Sequence, residues 1–315
     1  MDISFIGLRG HAKRLREIVE NLPNINIKKI LYHKQTQTEN LDCLTNNIED
    51  LFPSDAIFIA SPTHFHLEHL ISLKNYKGYI FLEKPAVSNL KDIKKLLSFP
   101  NSLKSRIYIN FNFQFSSLAE ILNSQLRSDT FGKVLWLDVH TSHGAAFRST
   151  WDKSWRVLGE NNLGPIETTG IHYLQYAASN FGKISNIDVR KRSVVGRSNS
   201  VDTGFISLEF SSGTWVRIRN SYATPYLIRF EMMGTNGYLT YDGSVCKIFS
   251  PRENYDKQGM FITPNIIYSK NIVFSSMWQD SLEQSICFFV DHVSRKKKFS
   301  IEKFNLNVNI MNNLL

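Results

Sequence analysis

A chain of 315 residues with 42 % hydrophobic and 12 % aromatic side chains can fill one large or two medium cores, which excludes an intrinsically disordered segment. Three scattered cysteines, Cys43, Cys246 and Cys287, exclude a disulfide framework and a cysteine metal cluster and fit a reducing compartment. The charge of +9 favours phosphorylated or carboxylated ligands, yet the densest basic run, Arg295 to Lys298, reads as a helix C-terminus without interleaved aromatics, so no nucleic-acid partner is expected.

The opening MDISFIG runs straight into a strand pattern with neither a basic n-region nor a long apolar h-region. No window reaches the ~18 apolar residues of a membrane span, so a soluble, cytoplasmic protein without a membrane partner is expected. ISFIG is the first strand, HAKRLREIVENL a helix with Leu15, Ile18, Val19 and Leu22 at helical spacing, and INIKKILYH a second strand. After a polar loop and a short helix come DAIFIAS, HLEHLISLKNY, GYIFLE and NLKDIKKLLSF, which alternate strand and helix, and RIYINFNFQF adds a last strand near residue 113. Such alternation predicts βαβ units on a parallel sheet, an α/β Rossmann domain over residues 1–117.

Beyond this point the pattern changes. SSLAEILNSQLRS is helical, VLWLDVHTSH is a strand, and one helix near residue 170 follows an irregular stretch. ISNIDVRKRSVV, TGFISLEFSS, GTWVRIRNSY, IRFEMMGT and GYLTYDG are then strands separated by turn signals. Consecutive strands without intervening helices predict a mainly antiparallel sheet, and residues 118–315 are expected to form an α+β domain for substrate binding and oligomerisation.

The turn after the first strand, Gly7-Leu8-Arg9-Gly10-His11-Ala12, approximates a G-x-G-x-x-G/A dinucleotide fingerprint with Arg9 in place of the second glycine. Gly7 supplies the tight turn and Ala12 the close helix packing, while Arg9 reads either as a phosphate contact or as an obstruction. At the end of the second strand, where an acid would hold the adenosine ribose, stand His33 and Lys34. They either tolerate a 2′-phosphate, which tilts the expected cofactor toward NADP over NAD, or are simply a polar strand end.

Several ordered segments resemble the glucose-fructose oxidoreductase, inositol dehydrogenase and rhizopine-catabolism (Gfo/Idh/MocA) family over residues 3 to about 300. Ser61, Pro62, Thr63, His64 and His66 fall in a turn similar to the family's A-T-P-x-x-H, and Glu83-Lys84-Pro85 reproduces its E-K-P. FNFQFSS resembles F-N-x-R-F with Gln114 for Arg and places Asn112 toward substrate; SWR at 154–156 and GTNG at 234–237 resemble further family pieces. The resemblance implies hydride transfer between a nicotinamide and a secondary alcohol or ketone of a sugar, cyclitol or nucleotide-sugar, in a homo-dimer or tetramer.

The glycine turn and the end of the second strand put Gly7, Leu8, Arg9, Gly10, His11, His33 and Lys34 at the expected cofactor site; the resemblance adds Ser61, Pro62, Thr63, His66, Glu83 and Lys84, with Lys84 also in proton transfer. A loop carrying Trp151, Trp155 and Arg156 is expected over the pocket, where an arginine suits an anionic sugar. His64, His66 and His69 lack accompanying carboxylate or cysteine ligands, so no metal site is expected.

GPIETTGIHYL, residues 164–174, resembles the family's G-x-L-x-D-x-G-x-H helix with His172 retained and Thr168 in the aspartate position. Spacing i, i+4 places Thr168 and His172 on one helix face; the resemblance implies that this face meets substrate and that His172 pairs with Lys84 in acid–base chemistry. Glu167, one residue off that face, is expected to cap the helix. Threonine orients an imidazole less firmly than a carboxylate does, so the same departures leave a second reading, a family relative that binds ligand without catalysis.

Overall fold

The computed structural model describes residues 1–32, 43–153, 157, 163–196 and 200–315. The chain divides into two compact units, Met1–Phe111 with Glu283–Asn313, and Asn112–Leu282.

The first unit carries six parallel strands: β1 (Asp2–Ile6), β2 (Asn26–Leu31), β3 (Leu44–Thr45), β4 (Ala56–Ile59), β5 (Tyr79–Glu83) and β6 (Ile107–Asn110). Their order is β3-β2-β1-β4-β5-β6. Helices α1 (His11–Glu20), α2 (His66–Ser72), α3 (Leu90–Leu97) and the short α4 (Asn101–Lys104) make the crossovers. β4 is buried at all four positions, as a parallel strand covered on both faces must be. In register across four adjacent strands, Phe5, Phe58, Phe81 and Tyr108 form one aromatic row with centroid spacings of 4.9, 4.4 and 5.5 Å. Phe289, from the late part of a C-terminal helix, packs edge-on over Phe58 and Phe81 at 5.3 Å.

The strand expected to reach residue 113 ends at Asn110, and a single 3-10 turn, Asn112–Phe115, follows. Phe113 takes part in a separate aromatic cluster with Tyr173, Tyr176 and Phe230, while Asn112 Nδ2 donates to Ser281 Oγ at 2.7 Å. These tertiary contacts override the β propensity of the FNFQF run.

The second unit opens with α5 (Ser117–Gln125), capped by Ser116 Oγ accepting from Ala119 N at 3.0 Å, and β7 (Val134–Ser142). α6 (Ile171–Asn180) is buried without a break from Ile171 to Ala178, and takes the polar side chains of His172 and Gln175 inside with it. Then come β8 (Ile184–Arg192), β9 (Thr203–Phe210), β10 (Trp215–Ser221), β11 (Leu227–Gly234), β12 (Tyr238–Tyr241), β13 (Val245–Phe249) and β14 (Ile266–Asn271). The eight strands run β14-β13-β12-β11-β7-β10-β9-β8, antiparallel except for the β7–β10 pair. Helix α7 (Phe274–Ser294), which carries Phe289, and α8 (Ile301–Asn309) end the chain.

Candidate active site

The sheet reverses its order between β1 and β4, so the carboxyl ends of these strands form the switch point at which open α/β sheets bind ligands. Gly7, at φ +115°, closes the turn after β1: a Cβ there would lie 3.0 Å from the Ala60 carbonyl oxygen and 3.3 Å from Ala12 Cβ. Leu8 turns into the core, while Arg9, Gly10 and His11 are exposed. Gly10, at φ +57°, leads into α1, whose first turn has no acidic residue and so keeps its N-terminal field favourable to an anion. Arg9 extends sideways, its guanidinium carbon 5.7 Å from the centre of the Tyr32 ring at the end of β2.

The two neighbouring turns are locked together by a histidine. His66 is buried, with Nδ1 2.9 Å from the Pro85 carbonyl oxygen and Nε2 2.9 Å from that of Ser61. Burial holds its pKa below the ordinary histidine value against the opposing pull of those two carbonyls. The ring lies between the turn after β4 and the turn after β5; as a neutral imidazole it donates to one of the two carbonyls, and to both only when protonated. Ser61 Oγ, also shut off from solvent, has no hydrogen-bond partner among the described residues. Thr63 is buried, Pro62 and His64 are exposed, and no group of three or more His, Cys, Asp or Glu is placed to hold a metal ion among the described residues.

Glu83 is the most heavily engaged carboxylate of the first unit. Oε1 lies 3.1 Å from His11 Nε2 and accepts from Asn110 Nδ2 at 2.7 Å, and Oε2 accepts from Lys84 N at 3.2 Å. Behind it, Ser285 Oγ donates to Asn110 Oδ1 at 2.7 Å and meets Tyr108 OH at 2.7 Å. Burial pushes the Glu83 carboxyl up, but His11, Lys84 and Asn110 together hold it below the usual carboxylate range. Half-buried Lys84 thus leaves β5 from a backbone pinned on one side by Glu83 and on the other by His66 beneath Pro85.

The lowered pKa has a stability consequence. The stabilisation from ionised Glu83 is complete above the unfolded-state pKa and is lost as pH falls through the folded value. Glu83→Gln is expected to cost about 1–3 kcal/mol at pH 7. In urea titrations the gap to wild type should shrink below about pH 4; a gap unchanged by acid contradicts this assignment.

In the second unit, the GPIETTGIHYL segment does not start as an α-helix. Ile166–Gly170 form a π-helical turn, Pro165 precedes it, and no side chain caps it. Glu167 is therefore not a cap: it is 2 % exposed and ion-paired with Lys191 of β8, which also donates to the Leu314 carbonyl oxygen. The π turn shifts the register on which the i, i+4 expectation rests, and the two side chains acquire different neighbours. Thr168 Oγ1 donates to the Gly164 carbonyl oxygen at 2.8 Å and hydrogen-bonds with Tyr222 OH, while the buried His172 ring sits edge-on to Trp278 at 4.9 Å.

Tyr222 links the Thr168 position to a cavity. Its hydroxyl also meets Thr169 Oγ1 at 3.1 Å, His143 stacks on its ring at 4.7 Å, and Trp151 packs against it edge-on at 5.7 Å. Together with Arg148 and Tyr226 these rings line a cavity of about 530 Å³ within the second unit. Trp151, expected in a loop over the substrate pocket, lines this cavity; Tyr222, His143, Arg148 and Tyr226 join it only because the fold brings the ends of β7 and β10 side by side. His33, Lys34, Trp155 and Arg156 lie outside the described residues. Asn112 is buried on Ser281.

Fold and turns together define a dinucleotide-fold protein with a second, sheet-based unit. Residues 1–111 match the oxidoreductase family with NAD-binding Rossmann fold, and residues 121–240 match the GFO/IDH/MocA C-terminal domain. The chain belongs to the Gfo/Idh/MocA oxidoreductase family.

It is 25 % identical over 180 residues to glucose-6-phosphate 3-dehydrogenase of Bacillus subtilis (strain 168), covering 55 % of this chain and 51 % of that one. To myo-inositol 2-dehydrogenase of Thermotoga maritima it is 26 % identical over 195 residues, covering 60 % and 56 %. The chain thus spans about half the length of these curated relatives. The fold is shared with an oxidoreductase from Agrobacterium radiobacter, solved in complex with NAD+, L-tartaric acid and magnesium, at TM-score 0.78, 17 % identity and coverage of 99 % and 94 %. No described helix is long and apolar enough to cross a membrane.

Proposed function

We propose that the protein is an NAD(P)-dependent oxidoreductase acting on a secondary alcohol or ketone of a sugar, cyclitol or nucleotide-sugar. The observation that carries this reading is Lys84, held by Glu83 and His66 at the carboxyl end of β5 beside the switch point. The residues present fit a dinucleotide: Gly7 admits no Cβ, the space at Gly10 is open for 4 Å, and the Ser61 hydroxyl is a buried group without a partner among the described residues. A bound nicotinamide supplies the hydride acceptor or donor. Lys84 Nζ and the His172 imidazole move the hydroxyl proton, and Thr168 orients substrate through Tyr222.

The unit of Met1–Phe111 and Glu283–Asn313 is assigned to the cofactor and that of Asn112–Leu282 to substrate and oligomerisation, in place of the expected division between residues 117 and 118. The exposed apolar side chains Phe261, Ile266 and Ile267 support a homo-oligomer, and three free cysteines support a cytoplasmic setting. The dehydrogenases of inositol and of glucose 6-phosphate among the relatives support the substrate class. Initial rates with NADP+ and NAD+ against a panel of sugars, sugar phosphates and cyclitols test the reading; no reduced nicotinamide from any member contradicts it.

NADP is the preferred cofactor in this reading, because Arg9 over Tyr32 stands at the end of β2, where a 2′-phosphate would be met. Losing a charge-assisted contact of this kind costs about 1.5–3 kcal/mol. Arg9→Ala should therefore weaken NADPH binding by about 10- to 100-fold while changing NADH by less than about threefold. Equal losses for the two cofactors would remove Arg9 from that role.

A further inference from the structure

We propose that the cavity of the second unit binds the anionic group of a hydroxylated, sugar-like substrate, with Arg148 as the anion contact. The inference rests on the oxidoreductase reading for what the ligand is, and on the cavity itself for its charge.

The floor is apolar and fixed. Trp151 and Tyr222 are 5 % and 3 % exposed and form a small core with Ala146, so the aromatic wall is in place before any ligand arrives. Tyr222 cannot swing, since its hydroxyl is held by Thr168 and Thr169 and its ring by His143. Flat, rigid aromatic surface suits the C–H faces of a sugar ring.

The polar groups are one-sided. Among the described residues that line it, none is a carboxylate. Arg148 is exposed and its guanidinium makes no ion pair or hydrogen bond among the described residues, leaving a planar fork of donors at the mouth. Ala145 N donates to His143 Nδ1 at 3.3 Å, which fixes that ring at the cavity wall. A site for a neutral sugar needs fixed acceptors for its hydroxyl hydrogens. The only charged group of the described lining is the donor fork of Arg148, and the ligand that complements it carries phosphate or carboxylate oxygens. The +9 charge of the chain raises the local concentration of such ligands. At about 530 Å³ the cavity has the size of a small-molecule site.

The test is calorimetric titration of the full chain with glucose 6-phosphate, glucuronate and glucose, each with and without saturating NADP+. At least one anionic sugar is expected to bind about tenfold or more tightly than glucose, and the arm that does so separates a phosphate from a carboxylate ligand. Arg148→Ala should abolish that preference with an unchanged urea midpoint, and Arg148→Lys should restore only part of it, because the planar fork is lost. Equal binding of glucose and both anions, no binding of either anion, or an Arg148→Ala preference equal to wild type overturns the site. NADPH binding without anion binding sinks this site and leaves the oxidoreductase reading standing; anion binding without NADPH binding does the reverse.

Discussion

Replacing Lys84 by alanine is expected to lower kcat by about 100- to 10,000-fold while leaving the Kd for reduced nicotinamide within about threefold. The separation follows from what holds the residue. The Lys84 backbone is fixed by Glu83 Oε2 on its N–H and by His66 under Pro85, so removing the side chain removes an ammonium and not the turn. Backbone at Gly7 and the N-terminus of α1 would still face the pyrophosphate. Steady-state rates and a fluorescence titration on the same preparation measure the two quantities. Unchanged turnover would remove Lys84 from the chemistry, whereas parallel loss of turnover and cofactor binding would make it a binding residue.

Lys191→Met is expected to destabilise the fold by about 3 kcal/mol, the cost of leaving a buried carboxylate without its cation. Glu167 has 2 % exposure and sits in the π turn, and Lys191 reaches it from β8 while also holding the carbonyl of Leu314. Adding Glu167→Gln to Lys191→Met should recover a large part of the loss, since the neutral amide removes the uncompensated charge. Urea midpoints of the single and double variants measure this. A single-variant loss under about 1 kcal/mol would mean that water reaches the carboxylate and that the pair does not hold the turn. Because the same turn carries Thr168 and runs into the helix of His172, the single variant should also raise KM for substrate.

What was legible in the sequence follows from how local each feature is. AIFI and YIFLE read as buried parallel strands because such strands are covered on both faces, and all of AIFI and four of the five residues of YIFLE are buried. Gly7 was legible because only a residue without a side chain fits 3.0 Å from the Ala60 carbonyl oxygen. Glu83-Lys84-Pro85 was legible as a motif, though its sequence does not show that Asn110, Ser285 and Tyr108 extend the Glu83 contacts inward.

The errors came where a distant partner decides. Glu167 looks like a helix cap until Lys191, 24 positions on, takes its carboxylate, and the helix begins as a π turn instead. Thr168 is bonded to Tyr222, 54 positions away, a contact that no local spacing reveals. The return of Glu283–Asn313 to the first unit is likewise invisible to periodicity, which reports the buried face of a helix but not what that face meets.

The proposed chemistry requires the first unit to be a working nicotinamide site. Fluorescence titration of the purified protein with NADPH and with NADH tests it most directly. Saturable binding in the micromolar range is expected, tighter for NADPH than for NADH. No binding of either at millimolar concentration would contradict it.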